Sequence, residues 1–262
     1  MEALDLFDCN CGLGPSRRHR PGLITDTAGL QAELDVQGIR RALVYAISAE
    51  EYFPRHGNQW LLEQIAGSER LLPCWIVMPH HTGEFPAPDE LIGLMREHGV
   101  RAARMNPPSH NRYSIAPWSA GPLLKTLERH RIPLFLSGTD LGRYLDDPGT
   151  GFTPDVLHEL CHTYPRLPIV ILRLNFQLTR VAVALLQACP NLYADLSYHD
   201  VFLGIELLCR EVGADRLLFG TGLPIGGRGA ALATLQAAEI DDDQRRRIAG
   251  ANLQRLLDEV RW

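Results

Sequence analysis

The chain has 262 residues, of which 45% are hydrophobic, and its 26 basic and 31 acidic side chains leave a formal net charge of -5. This length and hydrophobic content can supply one large buried core, and α/β barrels commonly reach this size as a single domain. The absence of a sustained basic run excludes nucleic acid as an expected partner. No apolar run approaches the roughly 18 residues of a membrane-spanning helix, and residues 1–5 are acidic from the start. We therefore expect a cytoplasmic protein with no membrane partner.

Six cysteines stand at positions 9, 11, 74, 161, 189 and 209, and none has paired CxxC spacing. A chain of this size needs no disulfides to stabilise its fold. We expect all six thiols to be reduced.

Short apolar or β-branched runs alternate with longer helical patterns, which predicts repeated βα units and a parallel sheet. Eight runs lie at 4–10, 40–47, 71–78, 100–106, 133–137, 169–173, 192–196 and 216–221. An open doubly wound sheet has the same alternation, but residues 12–15 do not fit its glycine-rich phosphate loop. We predict a (β/α)8 barrel that forms one domain over residues 1–262. The long loops after strands one, two and four would build a pocket at the strand ends.

Several segments carry a similarity to a known family. They are residues 6–14, 99–107 and 190–197 as strands one, four and seven, residues 217–224 as the last strand, and residues 247–257 as the terminal helix. Together they resemble the amidohydrolase-related family, which holds metal-dependent hydrolases, decarboxylases and lactonases. The similarity covers nearly the whole chain and implies the same barrel fold.

Members of this family usually bind a divalent metal through two histidines on strand one, a histidine after each of strands five and six, and an aspartate after strand eight. The resemblance places Asn10, Gly12, Ser137, Arg173 and Gly222 at these positions. The arginine also puts a fixed positive charge where a cation would lie, and like charges in a low-dielectric pocket repel by several kcal/mol. We therefore expect no metal and no other cofactor.

The same positions predict an anion site. Guanidinium groups match carboxylates and phosphates bidentately, so Arg173, Arg104 and the Asn10 amide would form a floor for a small anionic ligand. Ser137 and Thr221 complete the predicted substrate-binding set. The alternative is a filled pocket, because barrel interiors seldom hold an unpaired charge.

In that alternative Arg173 pairs internally with Asp8 or Asp195. The same two carboxylates and His199 are the candidate catalytic bases. His80 and His81 follow strand three and His199 follows strand seven, all at the expected mouth of the barrel, where an exposed loop histidine is the commoner state. For acid–base catalysis His199 is the preferred candidate.

Residues 158–162 match the helix motif of zinc proteases, in which His158 and His162 share one helix face. The helix is peripheral and no third ligand lies nearby in sequence, so we do not expect it to bind metal. Strand alternation predicts that Cys9 and Cys11 face the helices, away from Asp8.

Two further segments lie near strand ends. The predicted pocket-lining aromatic residues for a planar ligand are Tyr45, Trp118 and Tyr198, whereas Trp75 is assigned to the core. Residues 226–229 are a glycine-rich turn before a helix, which we interpret as an ordinary turn in preference to an anion site.

Three functions follow from this sequence. The first is a barrel that has lost its metal and binds a small carboxylated or phosphorylated molecule with little or no turnover. The second is a metal-independent hydrolase or lactonase for an anionic substrate, and the third is a scaffold for protein interaction. A rearranged metal set of His81, Asp195 and His199 stays open. Because family members are often homodimers, we expect a homodimer here.

Overall fold

The strands form a closed parallel barrel in chain order. The computed structural model describes residues 4–17, 23–106, 113–137 and 152–262. Within them the strands are β1 (Leu6–Leu13), β2 (Ile39–Ala46), β3 (Leu71–Pro73), β4 (Trp75–Ile76), β5 (Ala103–Met105), β6 (Leu134–Ser137), β7 (Ile169–Leu172), β8 (Leu192–Asp195) and β9 (Leu217–Leu218). The pairings are parallel between neighbours, from β1 to β3 and from β4 to β9.

Two junctions close the barrel. β3 and β4 are halves of one strand interrupted at Cys74, whose N–H donates to Val44 O at 2.7 Å before Trp75 N donates to Ala102 O at 3.1 Å. At the other junction, Cys9 N donates to Phe219 O at 3.0 Å and Gly12 N to Leu223 O at 2.7 Å. The predicted (β/α)8 barrel is confirmed.

Helices cover the outside of the barrel. They are α1 (Thr27–Val36), α2 (Ile47–Glu51), α3 (Pro54–Gln64), α4 (Pro88–Glu97), α5 (Pro117–Arg129), α6 (Pro154–Thr163), α7 (Thr179–Ala188), α8 (Gly204–Val212), α9 (Ala230–Ala237), α10 (Asp242–Arg246) and α11 (Asn252–Asp258), with a π-helical turn at Arg247–Ala251 before the last. No helix among the described residues is both long and apolar enough to cross a membrane.

Local sequence signals explain the ends of α6. Thr153 accepts a hydrogen bond from Val156 N at the start of the helix, as its Thr-Pro-Asp sequence predicts. Beyond the helix, Asn191 Nδ2 donates to the carbonyl oxygens of Cys161, Tyr164 and Leu167. These bonds hold the carbonyl groups at and beyond the C-terminal end of α6 to the residue before β8.

The first and last barrel strands depart from their predicted bounds by several residues. β1 extends to Leu13 and ends at Gly14, where φ is +101°. Its pairing with β2 is irregular between Asp8 and Cys11. The last strand is short because the chain turns at Gly222, with φ of +68°. Parts of the predicted long loops after strands one and four, residues 18–22 and 107–112, lie outside the described residues.

Candidate functional site

A buried ion pair lies at the centre of the barrel. Arg104, on β5, is 1% exposed, and its Nη2 contacts Glu50 Oε2 at 3.2 Å and Oε1 at 3.3 Å. Its Nη1 donates to Asn10 Oδ1 at 3.0 Å, and its Cζ lies 3.8 Å from the centroid of the Tyr45 ring. The charge of Arg104 is therefore compensated inside the protein.

Arg173 lies above this pair, directly after β7. Its backbone is left-handed, with φ of +57°, and its partly exposed side chain donates from Nη2 to Tyr45 Oη at 3.2 Å. Its Cζ lies 5.8 Å from the centroid of the Tyr198 ring, and its Nε has no hydrogen-bond partner. Burial alone would lower the pKa of Arg173, but Tyr45, Glu50, Tyr198 and Asp195 raise it above its ordinary value. This guanidinium stays charged.

Asp195, at the end of β8, is fully occupied by protein donors. Its Oδ2 accepts from Asn10 Nδ2 at 2.9 Å, Arg173 N at 3.1 Å and Ser197 Oγ at 2.7 Å. Its Oδ1 accepts from Ser197 N at 2.8 Å, and the residue is 0% exposed. These contacts favour a positioning role over the base role that the sequence predicts.

Asp8, on β1, is held in the same way. Its Oδ1 accepts from Asn10 N at 2.8 Å and Thr221 N at 3.1 Å, and its Oδ2 accepts from the Thr221 hydroxyl and the Cys11 thiol. Burial raises the pKa of Asp8, and these hydrogen bonds oppose the rise. Thr221, predicted to bind substrate, is instead committed to Asp8 and to Leu223 N.

The predicted orientation of the strand-one cysteines is wrong. Cys11 Sγ donates to Asp8 Oδ2 at 2.9 Å, and Cys9 neighbours Asp195. The irregular pairing between Asp8 and Cys11 breaks the simple alternation on which the prediction rested. Burial raises the pKa of both thiols well above the ordinary value, and the nearby carboxylates raise it further. Both groups therefore stay protonated.

Two glycines stand where the resemblance places metal ligands, and aromatic side chains fill the adjoining space. A Cβ on Gly222 would lie 2.6 Å from Tyr198 Cε2. A Cβ on Gly12 would lie 3.0 Å from both Ile47 Cγ1 and Tyr45 Oη. With Arg173 beside these tyrosines and both carboxylates occupied, the side chains described at the strand ends do not fit a divalent cation, in a structure that omits residues 107–112 and 138–151.

The rearranged metal set is not assembled either. Among the described residues, His81, Asp195 and His199 do not form a group of donors that could share one ion. His80 and His81 are exposed in a short 3-10 turn.

His199 is buried at 3% exposure, and neither ring nitrogen has a well-formed hydrogen bond. Burial lowers the pKa of His199, which favours its neutral form. Asn106, directly after β5, is also buried with both amide atoms unpartnered. Buried polar groups are normally satisfied, so these two side chains are exceptions among the described residues.

The structure revises the predicted anion-binding floor. Asn10 and Arg104 are close together as expected, but their donors are used by Asp195 and Glu50. Arg173 contacts Asp195 through its backbone and not, as the alternative held, through its guanidinium. Ser137 lies at the end of β6, paired with Leu172, the residue before Arg173.

Sequence reasoning missed Glu50. It belongs to a pair of adjacent acids after β2, and the second, Glu51, bonds instead to Ser16 Oγ and Arg17 N. Nothing in the local sequence indicates which of the two acids pairs with Arg104.

Of the predicted aromatic residues, Tyr45 and Tyr198 are in the site, whereas Trp118 is exposed on α5.

Comparisons with known proteins agree with the fold. A model of the family described as Amidohydrolase matches residues 15–258. A 2,6-dihydroxybenzoate decarboxylase from Rhizobium is similar with a TM-score of 0.76 and 17% sequence identity, over 98% of this chain and 99% of that one. No curated protein matches the chain.

Two further solved structures are similar. A dihydroxybenzoic acid decarboxylase from Polaromonas sp., solved with manganese and the inhibitor 2-nitroresorcinol, has a TM-score of 0.73 and 16% identity, over 98% of this chain and 97% of that one. A protein assigned as a 2-pyrone-4,6-dicarboxylic acid hydrolase from Pseudomonas putida has a TM-score of 0.71 and 18% identity, over 98% of both chains.

Proposed function

Because the chain belongs to the amidohydrolase family, we propose that it is a member whose metal centre is replaced by arginine and tyrosine side chains, and that it binds a small carboxylated or phosphorylated molecule at Arg173. One observation carries the proposal. A side chain at position 222 would overlap Tyr198, whose ring flanks Arg173. The protein thus supplies its own fixed cation at the barrel mouth.

The contrast between the two central arginines supports Arg173 as the ligand-binding group. Arg104 is buried and pairs with Glu50, so its positive charge is already compensated and is not open to a ligand. Arg173 is partly exposed, and the hydroxyl of Tyr45 is a neutral partner. The Nε of Arg173 is buried without a partner, and a carboxylate or phosphate that entered beside it would accept two parallel hydrogen bonds from this guanidinium.

The tyrosines support a planar ligand. Both tyrosines neighbour the Arg173 guanidinium, Tyr45 through its hydroxyl and Tyr198 through its ring, which suits a flat ring that carries an acid group. The structurally similar proteins are named for 2,6-dihydroxybenzoate and 2-pyrone-4,6-dicarboxylic acid, both of which are rings with carboxylates. Little or no turnover is expected, because Asp8 and Asp195 have no free oxygen for proton transfer.

Calorimetric titration tests this proposal with three probes: 2,6-dihydroxybenzoate, 2-pyrone-4,6-dicarboxylate and inorganic phosphate. At least one probe should bind chelator-treated wild-type protein. Arg173→Met should lower the affinity for that probe about 10-fold to 100-fold, which corresponds to the loss of a charge-assisted hydrogen bond. The matched control is Arg180→Met, on the exposed face of α7, which should bind like wild type.

Two results would reject the proposal. One is unchanged affinity of every bound probe in Arg173→Met. The other is a tightly held divalent ion that is lost in Asp195→Asn, because that ion would lie at the barrel centre.

A metal-independent hydrolase or lactonase is the second candidate, and His199 favours it. Its buried, neutral imidazole is suited to accept a proton from water, while Arg173 would polarise the lactone carbonyl. Ring opening of the pyrone should then be measurable by absorbance, and His199→Gln should slow it by about 10²–10⁴. Equal turnover in Arg173→Met, Asp195→Asn and wild type would reject this assignment.

A protein-interaction scaffold is the third candidate. Phe176, after β7, and Phe202, after β8, are 65% and 90% exposed, and both follow strand ends. This candidate gains support only where none of the three probes binds.

We also propose the cytoplasmic location and the homodimer that the sequence predicts. Six free cysteines, all buried, support a reducing compartment. Light scattering during gel filtration measures the oligomeric state, and a monomeric mass would reject the homodimer.

A further inference from the structure

A second candidate ligand site lies outside the barrel, between α6 and the end of α7. The donor atoms of His158, His162 and Cys189 all lie within 4.8 Å of one another. The two histidines are one turn apart on α6, and Cys189 directly follows α7. The third donor that the sequence around the histidines lacks is thus supplied by the tertiary fold.

The histidines are arranged as metal ligands usually are. His162 Nδ1 lies 2.9 Å from His158 O, and because a carbonyl oxygen only accepts, Nδ1 carries the proton. Its Nε2 then keeps a free lone pair, and the carbonyl fixes the ring orientation. The two exposed rings have centroids 4.1 Å apart and lie 35° from parallel, and their donor atoms lie within 4.8 Å of each other.

Cys189 lies on the buried side of the site. It is buried, whereas both imidazoles are exposed, so an ion would lie between the thiol and the two rings. The neighbouring Cys161 thiol hydrogen-bonds to Cys189, and such donors stabilise a metal-bound thiolate. Tetrahedral zinc with the usual bond lengths needs its donors about 3.5 Å apart. Small rotations of the exposed His158 ring and of the Cys189 side chain would bring the donors to that distance while the His162 ring keeps its bond to the carbonyl.

We propose that His158, His162 and Cys189 form a binding site for a zinc-class divalent cation on the outside of the barrel, with water at the fourth position. Mixed nitrogen and sulfur donors select such ions over magnesium or calcium. On binding, the Cys189 S–H bond breaks, the sulfur lone pair binds the metal and the proton passes to water. The site is separate from Arg173 and does not depend on the function proposed for the barrel mouth.

Cobalt is the probe, because a thiolate bound to Co²⁺ gives a charge-transfer absorption that water or histidine ligands do not. Chelator-treated full-length protein with reduced cysteines should bind one equivalent of Co²⁺ with this absorption, and Zn²⁺ should abolish it by displacement. Cys189→Ser should lose the absorption. His162→Gln and His158→Gln should each weaken binding about 100-fold or more.

Matched controls separate this site from the rest of the chain. Cys209→Ser removes another buried cysteine, and His98→Gln another exposed histidine, and both should bind cobalt like wild type. Arg173→Met and Asp195→Asn should also leave binding unchanged, so this proposal can fail or hold independently of the central one.

The proposal is overturned where wild-type protein binds no cobalt, where the sulfur absorption survives in Cys189→Ser, or where it is lost equally in Cys209→Ser. Circular dichroism checks that each variant is folded. If Cys189→Ser does not fold, His158→Gln and His162→Gln become the test of the site. Unchanged cobalt affinity in both variants would reject it.

Discussion

At the residue scale, Gly222 combines a special backbone conformation with a crowded side-chain position. Its φ is +68°, in the left-handed region, and a Cβ would lie 2.6 Å from Tyr198 Cε2. The first property disfavours every L-residue, and the second excludes a side chain while Tyr198 holds its place. The aspartate implied by the resemblance is therefore opposed by backbone and packing together.

We predict that Gly222→Ala lowers the free energy of unfolding by about 2–4 kcal/mol, the sum of left-handed strain and overlap with Tyr198. Urea unfolding measures this loss. Gly38→Ala is the matched control, because Gly38 has φ of +66° and nothing within 4 Å of its Cβ. It should cost only the strain of about 1 kcal/mol. Equal losses in the two variants would contradict the packing argument.

His199 gives the pH prediction. Burial lowers its pKa from the ordinary 6.5, so the unfolded chain binds a proton more readily than the folded one. The stability that it contributes is fully present above pH 6.5 and is lost as pH falls from 6.5 towards the folded pKa. Urea unfolding of His199→Gln between about pH 7.5 and about pH 5 should show a weaker pH dependence than wild type.

The control for this measurement is His81→Gln, at an exposed position. Its stability should follow the wild-type pH curve. A His199→Gln curve parallel to wild type would show that another group causes the acid loss.

At the element scale, one side chain fixes α3 to the barrel. Asn58 Nδ2 donates to Ile76 O at 2.8 Å, and its Oδ1 accepts from Ile76 N at 3.0 Å. It thus satisfies both backbone groups of a residue in the short strand β4. Helical periodicity places Asn58 on a buried face, but it cannot name the strand that it meets.

Asn58→Leu should therefore lower the free energy of unfolding by about 2–4 kcal/mol, because two buried backbone groups lose their partners. Gln59→Leu, at the next and exposed position of α3, should change stability by less than about 0.5 kcal/mol. Thermal unfolding followed by circular dichroism compares them. Similar values for the two variants would contradict the role of Asn58.

At the scale of the whole molecule, the C-terminal segment packs on the first strand. Gly250, in the π-helical turn, lies so close to the start of β1 that a Cβ would be 2.4 Å from Asp5 O and 3.1 Å from Phe7 Cβ. The turn also meets the last strand, since Phe219 N donates to Ile248 O at 2.9 Å. This segment therefore supports the junction at which the barrel closes.

Gly250→Ala should destabilise the whole barrel by about 2–3 kcal/mol, because the added methyl group meets backbone that cannot move freely. Gly93→Ala, in α4 with nothing within 4 Å, should instead stabilise the protein by about 0.5–1 kcal/mol. Chemical unfolding of both variants checks this difference in sign, and a neutral Gly250→Ala would contradict the close packing.

Local signals predicted the fold better than the site. Apolar runs such as β7, together with the cap at Thr153, depend on neighbouring residues, so the alternation of strands and helices was readable. The roles of Glu50 and Cys189 could not be predicted, because each contacts residues that are far away in the sequence, and hydrophobic periodicity reports only on nearby residues. The alternation rule failed at Cys11 because the pairing of β1 is irregular there.

By itself the sequence determined the barrel and its family, since composition, hydrophobic period and motif are all local properties of a chain. Only the tertiary structure decided how the charges are used. It compensates Arg104 with Glu50, sets the ring of Tyr198 against Gly222 and leaves Arg173 partly exposed. The physical reason is that desolvation and steric exclusion act between side chains brought together by folding, which the order of residues does not specify.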